Sequence, residues 1–262
     1  MITRKAIAAS TYYSADFNIL NKQLAYSFLA PPGPGSFPLH RNAKPPVHGV
    51  IVPFGRYDDV GCIAAWAYKD IGEHAFPELF IILSNSTIGG PHQFSTTLFA
   101  DWETPLFTAK IAKEQGKKLL NSFPELRNET SMHDTEPAIE TQLPLLQCVN
   151  KDHLHDITIL PLIINTSSYE ACTSFGTALG DFSEHISSTI ICSHNLTGTP
   201  LDTHLLDAIK RIDPHSFFTH AHQASHYPFG AALVFLHAMK QRFANKTLLH
   251  HYSAGYAALT FT

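Results

Sequence analysis

Residues 47–68, "VHGVIVPFGRYDDVGCIAAWAY", decide the fold. An unbroken apolar run over residues 47–52 ends at a proline, the chain turns, and residues 58–71 then have the apolar spacing of a helix. A short β-branched run of this kind is typical of a strand that is buried on both faces of a sheet. In open sheets, ligands bind outside the carboxyl ends of such strands. The first side chain after this strand and its proline is nevertheless the phenyl ring of Phe54, which is not a reactive group.

The same alternation of strand and helix runs along the rest of the chain. Further buried strands are predicted at 79–83, 157–164 and 189–192, and the tail over 248–262 reads as two strands joined at Gly255. The spacing of apolar residues predicts helices at 17–29, 58–71, 104–121, 137–149, 168–181, 201–212 and 228–244. Because no repeat or linker divides the sequence, residues 1–262 are predicted to form one three-layer α/β/α domain. Its central sheet is expected to be mixed and largely parallel.

Composition excludes several classes of function. The net charge of -4 gives no electrostatic footprint for nucleic acid or for an anionic membrane. No apolar run approaches the ~20 residues needed to span a bilayer, and the first residues lack the apolar core of a signal peptide. The four cysteines form no CxxC pair, so neither a zinc ribbon nor a disulfide framework is indicated. We therefore expect a cytoplasmic protein without nucleic-acid or membrane partners.

Three loops follow the carboxyl ends of predicted strands and are rich in polar residues, glycine and proline. They are "PFGRYDD" (53–59), "SNSTIGGPHQF" (84–94) and "SHNLTGTP" (193–200). Such loops predict a pocket at one edge of the sheet, but they do not identify a reaction.

Motifs in and around these loops resemble the Memo family, also called AmmeMemoRadiSam system protein B. "VPFGRYDDVGCIAAWAY" is similar to that family's V-P-H-A-G-Y-x-Y-S-G-x-x-A-A-x-A-Y, and "ILSNST" to its I-L-G-P-S-H. "EPAIETQLPLLQ" is similar to E-H-S-x-E-x-Q-L-P-F-L, "IICSHNLTG" to V-x-S-S-D-L-S-H, and "ASHYPFGAALVFL" to C-G-x-x-P-I-x-x-L. Segments near both termini and "DWETPL" (101–106) complete a series of matches in the family's order. The resemblance implies a fold related to class III extradiol dioxygenases, whose members hold non-haem iron in a cleft.

The chain departs from this family where metal-binding side chains are expected. The family's histidine, aspartate and cysteine positions fall at Phe54, Thr87, Pro137, Asn195, Gly198 and Ala224. Iron and copper need imidazole, carboxylate or thiolate ligands, which these residues do not supply. We therefore expect a divergent member without the family's metal site and without a cofactor. In such a cleft Phe54 should be mostly buried, with Thr87 and Ala224 nearby.

Other positions keep the family pattern and are expected to shape the cleft. The predicted cleft residues are Phe54, Tyr57, Thr87, Trp102, Glu140, Gln142, His194, Asn195, Ala224 and His226. Trp102 is expected to pack beneath a loop, and Tyr57 to cap a turn. For Glu140 and Gln142 the sequence leaves two alternatives, hydrogen bonds that hold loops and direct contact with a ligand.

Three functions remain open at this stage. The first is a metal-free protein that binds a small molecule, a peptide or a protein partner in the cleft where the family's metal site is expected. The resemblance implies AMMECR1-like and radical SAM proteins as partners. The alternative is an iron- or copper-dependent redox or dioxygenase-type enzyme with relocated ligands, His92, His194 and His226. A third possibility is acid–base catalysis by Glu140 together with Tyr57 or His194. The sequence assigns no catalytic residue.

Overall fold

The structure is a computed structural model that describes residues 2–41, 44–242 and 244–262. Its helices are α1 (Phe17–Leu29), α2 (Tyr57–Glu73), α3 (Lys113–Ser122), α4 (Ser131–Thr135), α5 (Pro137–Glu140), α6 (Leu143–Val149), α7 (Tyr169–Glu184), α8 (Asp202–Lys210), α9 (Pro214–Ala221) and α10 (Gly230–Gln241). A 3-10 helix spans Lys151–Asp156. The helices predicted around 17–29, 58–71, 168–181 and 228–244 are confirmed to within a few residues.

A mixed sheet forms the centre of the molecule. Its strands are β1 (Thr3–Arg4), β2 (Gly49–Val52), β3 (Leu79–Asn85), β4 (Phe94–Thr96), β5 (Asp101–Glu103), β6 (Thr108–Ile111), β7 (Leu126–Asn128), β8 (Thr158–Ile164), β9 (Ser188–Ser193), β10 (Thr247–Ser253) and β11 (Tyr256–Phe261). The main order is β1-β5-β6-β8-β3-β9-β2-β11-β10, with β4 pairing β7 and β8. The run from β6 to β2 is parallel, whereas β11 and β10 are antiparallel. The predicted fold class, with a mixed and largely parallel sheet, is confirmed.

The β-branched central strands are buried because helices cover both faces of the sheet. Along β3, Ile81 and Leu83 belong to the apolar cluster under α7 and α10. The alternate residues Phe80 and Ile82 belong to the cluster under α1, α2 and α6. All four side chains are fully buried. Successive side chains of a strand point to opposite faces of the sheet, so each central strand packs against both helical layers.

The prediction of one helix over 104–121 is wrong. Residues 101–111 form the β5–β6 hairpin, and only Lys113–Ser122 is helical. Ile111 pairs in parallel with Ile159 of β8, so this segment extends the sheet. Tertiary pairing overrides the local helical spacing, as short segments of mixed propensity allow.

Two other segments that were predicted as single helices each form two shorter helices. The helix predicted over 201–212 stops at Lys210, and a second helix begins at Pro214. Ile212 lies between them with φ 50°, which no α-helix contains, and proline is favoured only in a helix's first turn. The helix predicted over 137–149 is likewise split into α5 and α6.

The last strand of the sheet, β10, is irregular. Its pairing with β11 shifts register between Leu249 and His251, where one residue of β10 is left without an opposite residue.

The described helices include none that is both long and apolar enough to cross a membrane.

Candidate functional site

Three parallel strands bring the predicted pocket loops to one edge of the sheet. Val52 of β2 and Ser84 of β3 both stand opposite Ser193 of β9. The loops that follow these strands therefore begin side by side, as expected for carboxyl ends of parallel strands. We call this edge of the sheet, with the loops at 53–56, 86–93 and 194–201, the carboxyl-edge cleft.

Phe54 is joined to Asn195 across the carboxyl-edge cleft. The Phe54 amide donates to Asn195 Oδ1 at 2.8 Å, and Asn195 Nδ2 donates to the Phe54 carbonyl at 2.7 Å. The Phe54 ring is partly exposed and lies 5.1 Å from the ring of Tyr12 between centroids. Asn195 thus ties two loops together, and both polar ends of its amide are occupied.

Thr87 is exposed and bonded to Glu136, a residue that the sequence analysis did not select. The Thr87 amide and Oγ1 donate to Glu136 Oε2 at 2.7 and 2.8 Å. The other oxygen, Oε1, accepts the Ala138 amide at 3.0 Å, so Glu136 caps α5. Glu136 is 1% exposed, which leaves its carboxylate closed to solvent. An acidic residue directly before Pro137 at a helix start was the available signal for this cap.

Glu140 holds the N-terminal segment of the chain. Its Oε2 accepts Arg4 Nη1 at 2.5 Å and the Ile7 amide at 2.9 Å. Its Oε1 accepts the Ala8 amide at 2.8 Å and Tyr13 Oη at 2.6 Å. Burial and then the neighbouring Glu140 charge raise the pKa of Tyr13, so the phenol stays protonated and donates. Every oxygen of this fully buried carboxylate is therefore engaged by the protein.

Trp102 lies beneath the same segment. Its side chain is fully buried, and the Arg4 guanidinium stands 4.0 Å from the centre of its ring. Arg4 Nε also donates to the His133 carbonyl at 2.9 Å. Trp102 and Glu140 consequently hold Arg4 between them, one through its ring and the other through its charge.

Tyr57 and Gln142 lie at the floor of the cleft and form hydrogen bonds with other buried residues. Tyr57 Oη donates to the Thr141 carbonyl at 2.8 Å, and burial raises the pKa of Tyr57. Gln142 Nε2 donates to Ser193 Oγ at 2.9 Å, while Gln142 Oε1 accepts Tyr68 Oη at 3.0 Å. These contacts are the loop-holding alternative for Gln142, and they fix α5 and α6 against the strand ends.

His194 is buried with both ring nitrogens bonded. Asn85 Nδ2 lies 3.3 Å from Nδ1, and Tyr227 Oη lies 2.6 Å from Nε2. An amide NH2 can only donate, so Nδ1 accepts and Nε2 carries the proton in the neutral ring. Burial lowers the pKa of His194 to about 4, which keeps that neutral form at pH 7. The imidazole lone pair is thereby used by Asn85.

The remaining predicted residues do not gather around a metal position. His226 is exposed in a turn with φ 59°, Ala224 is partly exposed after α9, and His92 is partly buried in the loop after β3. Across residues 2–41, 44–242 and 244–262, no three His, Cys, Asp or Glu side chains are grouped so that they could hold a metal ion. The residues present therefore do not fit the iron or copper that the motif resemblance implied. The alternative built on His92, His194 and His226 is not favoured.

A polar cavity opens beside Phe54. It has a volume of about 380 Å³ and is lined by residues 10–16 together with Gln23, Arg56 and Asp58. Tyr12 lines this cavity and also packs on Phe54, so the cavity adjoins the carboxyl-edge cleft. Arg56 is exposed and lies 3.6 Å from Asp58.

The architecture defines the chain as an α/β protein whose pocket loops gather at one edge of a largely parallel sheet. An uncharacterized protein of Escherichia coli K12 has a similar fold, with a TM-score of 0.56, 12% identity, and coverage of 81% of this chain and 98% of that one. The sequence profile of the family described as "Memo-like protein" matches residues 4–260. The chain belongs to this family.

Curated relatives cover nearly the same length. A MEMO1 family protein of Methanococcus maripaludis is 25% identical over 96% of this chain and 93% of its own length. A MEMO1 family protein of Caldivirga maquilingensis is 25% identical over 97% and 93%, respectively. The resemblance drawn from the motifs is therefore confirmed at the level of the family.

Proposed function

We propose that this Memo-like protein works without a metal and binds a small molecule or a peptide segment of a protein partner at the carboxyl-edge cleft. One observation carries this proposal. Three cleft side chains could bind a metal: Glu136, Glu140 and His194. Their carboxylate oxygens and ring nitrogens already form hydrogen bonds within the protein. Withdrawing them for a metal would leave buried donors unpaired, at a cost of ~1–3 kcal/mol for each group.

The same contacts argue against acid–base catalysis by these groups. Glu140 is fully buried beneath residues 4–13, and Tyr57 is 4% exposed. A general acid or base must come within hydrogen-bond reach of its substrate, which these packed contacts prevent. What remains accessible is a rim for binding, where Phe54, Tyr12 and Arg56 adjoin the polar cavity.

The chemistry of this rim favours polar ligands with an aromatic or planar part. The Tyr12 and Phe54 rings offer partly exposed faces, and the cavity beside them carries hydroxyl groups, one guanidinium and two carboxylates. Aromatic faces with adaptable polar neighbours are typical of surfaces that recognise peptides and small molecules. An AMMECR1-like protein or a radical SAM protein in the cytoplasm is the proposed macromolecular partner.

The metal-free part is tested by elemental analysis of native protein purified without added metal or chelator. We expect far less than one iron, copper or zinc ion per chain, and a stoichiometric content would overturn the proposal. Calorimetric titration of the wild type with ferrous and cuprous ions should likewise show no tight binding. Tight binding of either ion by the wild type would overturn the proposal.

The binding part is tested with a purified AMMECR1-like protein from the same source organism. Titration calorimetry should detect binding to the wild type and at least tenfold weaker binding to Arg56→Glu. Arg211→Glu is the matched control, because Arg211 is also exposed but follows α8, outside the cavity. Equal loss in both variants, or no binding to the wild type, would count against this partner and this rim.

A further inference from the structure

A second cavity lies on the opposite edge of the sheet from the carboxyl-edge cleft. It has a volume of about 450 Å³ and is lined by the start of α1, residues 37–41, the end of α2, Leu106, the end of α6 and the 3-10 helix. The ends of α2 and of the 3-10 helix lead into the amino ends of β3 and β8. We call it the amino-edge cavity. None of the positions at which the family has metal-binding side chains, from Phe54 to Ala224, contributes to its lining.

The lining of the amino-edge cavity is largely apolar and partly open to solvent. Phe17, Phe37 and Leu39 line it and are 54%, 38% and 72% exposed. Leu106 and Leu154 line it as well. These large apolar side chains contact water around a concave space. Covering them with an apolar ligand is therefore favourable.

The walls of this cavity are held in place before any ligand arrives. A Cβ at Gly72 would lie 2.5 Å from Pro38 Cγ, so the 37–41 segment rests directly on the backbone of α2. The rings of Phe37 and Phe28 stack with centroids 5.1 Å apart. Arg41 donates to the His74 carbonyl at 2.9 Å and to Asn150 Oδ1 at 2.7 Å. A preformed wall avoids much of the ordering cost of binding.

The charged side chains at the rim of the cavity, Arg41, Lys151 and Asp152, carry a net positive charge. Asp152 lines the cavity with Arg41, and its carboxylate opposes the lowering of the Arg41 pKa by burial. Lys151 also lines the cavity and is exposed, and no carboxylate of the described ranges forms an ion pair with it. The cation of Lys151 is therefore available to an anionic group of a ligand that occupies the apolar space.

We propose that the amino-edge cavity binds an amphipathic carboxylate, with its apolar chain against Phe17, Phe37 and Leu39 and its carboxylate toward Lys151. This site is separate from the carboxyl-edge cleft, and its occupation does not depend on the function proposed there. Cys148 lines the same cavity and is partly exposed, so it can report on occupation. Cys62 is also partly exposed but lies on α2 outside the cavity.

The test uses decanoate as the probe, below its micelle concentration, against decanol and decyltrimethylammonium. In titration calorimetry we expect decanoate to bind the wild type at least fivefold more tightly than decyltrimethylammonium does. Lys151→Glu should weaken decanoate binding about tenfold and leave decanol binding unchanged. Lys118→Glu is the matched control on α3, and it should bind decanoate as the wild type does.

Alkylation of the wild type provides a second measurement that does not depend on a variant. Burial raises the pKa of the Cys148 thiol to about 11, so labelling is run near pH 9 and read by peptide mass spectrometry. Saturating decanoate should slow labelling of Cys148 several-fold and leave Cys62 unchanged. The proposal is overturned if Cys148 and Cys62 respond equally, or if the cationic and anionic probes bind alike.

Discussion

Replacing Glu140 by glutamine separates a structural role of this carboxylate from a catalytic one. Glu140 is fully buried and pairs with Arg4, whose side chain is only 5% exposed. The Glu140→Gln change keeps the shape but removes the charge, and it turns one acceptor oxygen into an NH2 that faces donors. Breaking a buried ion pair by removing one partner costs ~3–5 kcal/mol, because the other charge stays buried.

Two features of the structure place the expected loss within that range. The carboxylate accepts two backbone amides and a phenol besides Arg4, and a glutamine can satisfy only part of this set. Arg4 keeps its contacts with the Trp102 ring and the His133 carbonyl, which limits the loss. We therefore expect Glu140→Gln to lower the free energy of unfolding by about 3 kcal/mol.

Urea unfolding followed by far-UV circular dichroism measures this difference. Glu103→Gln is the matched control, because Glu103 pairs with Lys5 in a nearby exposed ion pair whose loss should cost less than ~1 kcal/mol. An Arg4→Met variant completes a double-mutant cycle, in which Glu140→Gln should cost much less once Arg4 is absent. If Glu140→Gln destabilises the protein no more than Glu103→Gln does, Glu140 does not anchor the N-terminal segment and the catalytic alternative for this residue returns.

Three further predictions concern buried contacts around the strand ends. Because burial lowers the pKa of His194 from 6.5 to about 4, its contribution to stability is complete above pH 6.5 and is lost as the pH falls toward 4, by about 3 kcal/mol. Urea midpoints measured between pH 7 and pH 4 should fall less steeply for His194→Gln, and equal slopes would contradict this assignment. Asn85→Ala removes an acceptor of the Ala231 amide at the start of α10 and should cost ~1–2 kcal/mol in urea unfolding, with unchanged stability as the contrary result. Gly230→Ala places a Cβ 1.9 Å from the Thr166 carbonyl oxygen and should lower the thermal midpoint by several degrees, whereas an unchanged midpoint would show that the backbone yields easily.

The sequence predicted the inner part of the fold better than its periphery. Strands such as β3 and β9 are continuous apolar runs, and such runs have few alternatives once both faces of a sheet are covered. The β5–β6 hairpin has no such run. Its pairing with β8 comes from a contact between residues 111 and 159, which are distant in the sequence. Local spacing contains no information about that partner, so the segment was assigned to a helix.

The candidate site was predictable as a place but not as a set of contacts. Family motifs located Phe54, Asn195 and Glu140 in the loops and helices near one sheet edge. They did not indicate that Asn195 bridges to the Phe54 backbone, or that Glu140 receives the amides of residues 7 and 8. Such bonds depend on side-chain direction and on backbone donors, which every residue has and which no motif specifies.

The register shift in β10 bears on how this protein meets other chains. The main order of strands ends at β10, where unpaired backbone groups would offer a template for a strand from another molecule. At Leu249–His251 the ladder is interrupted. A straight foreign strand can match only a few residues on either side of this break. The irregularity therefore protects the sheet from edge-to-edge aggregation, although the strands within it are among the most apolar parts of the chain.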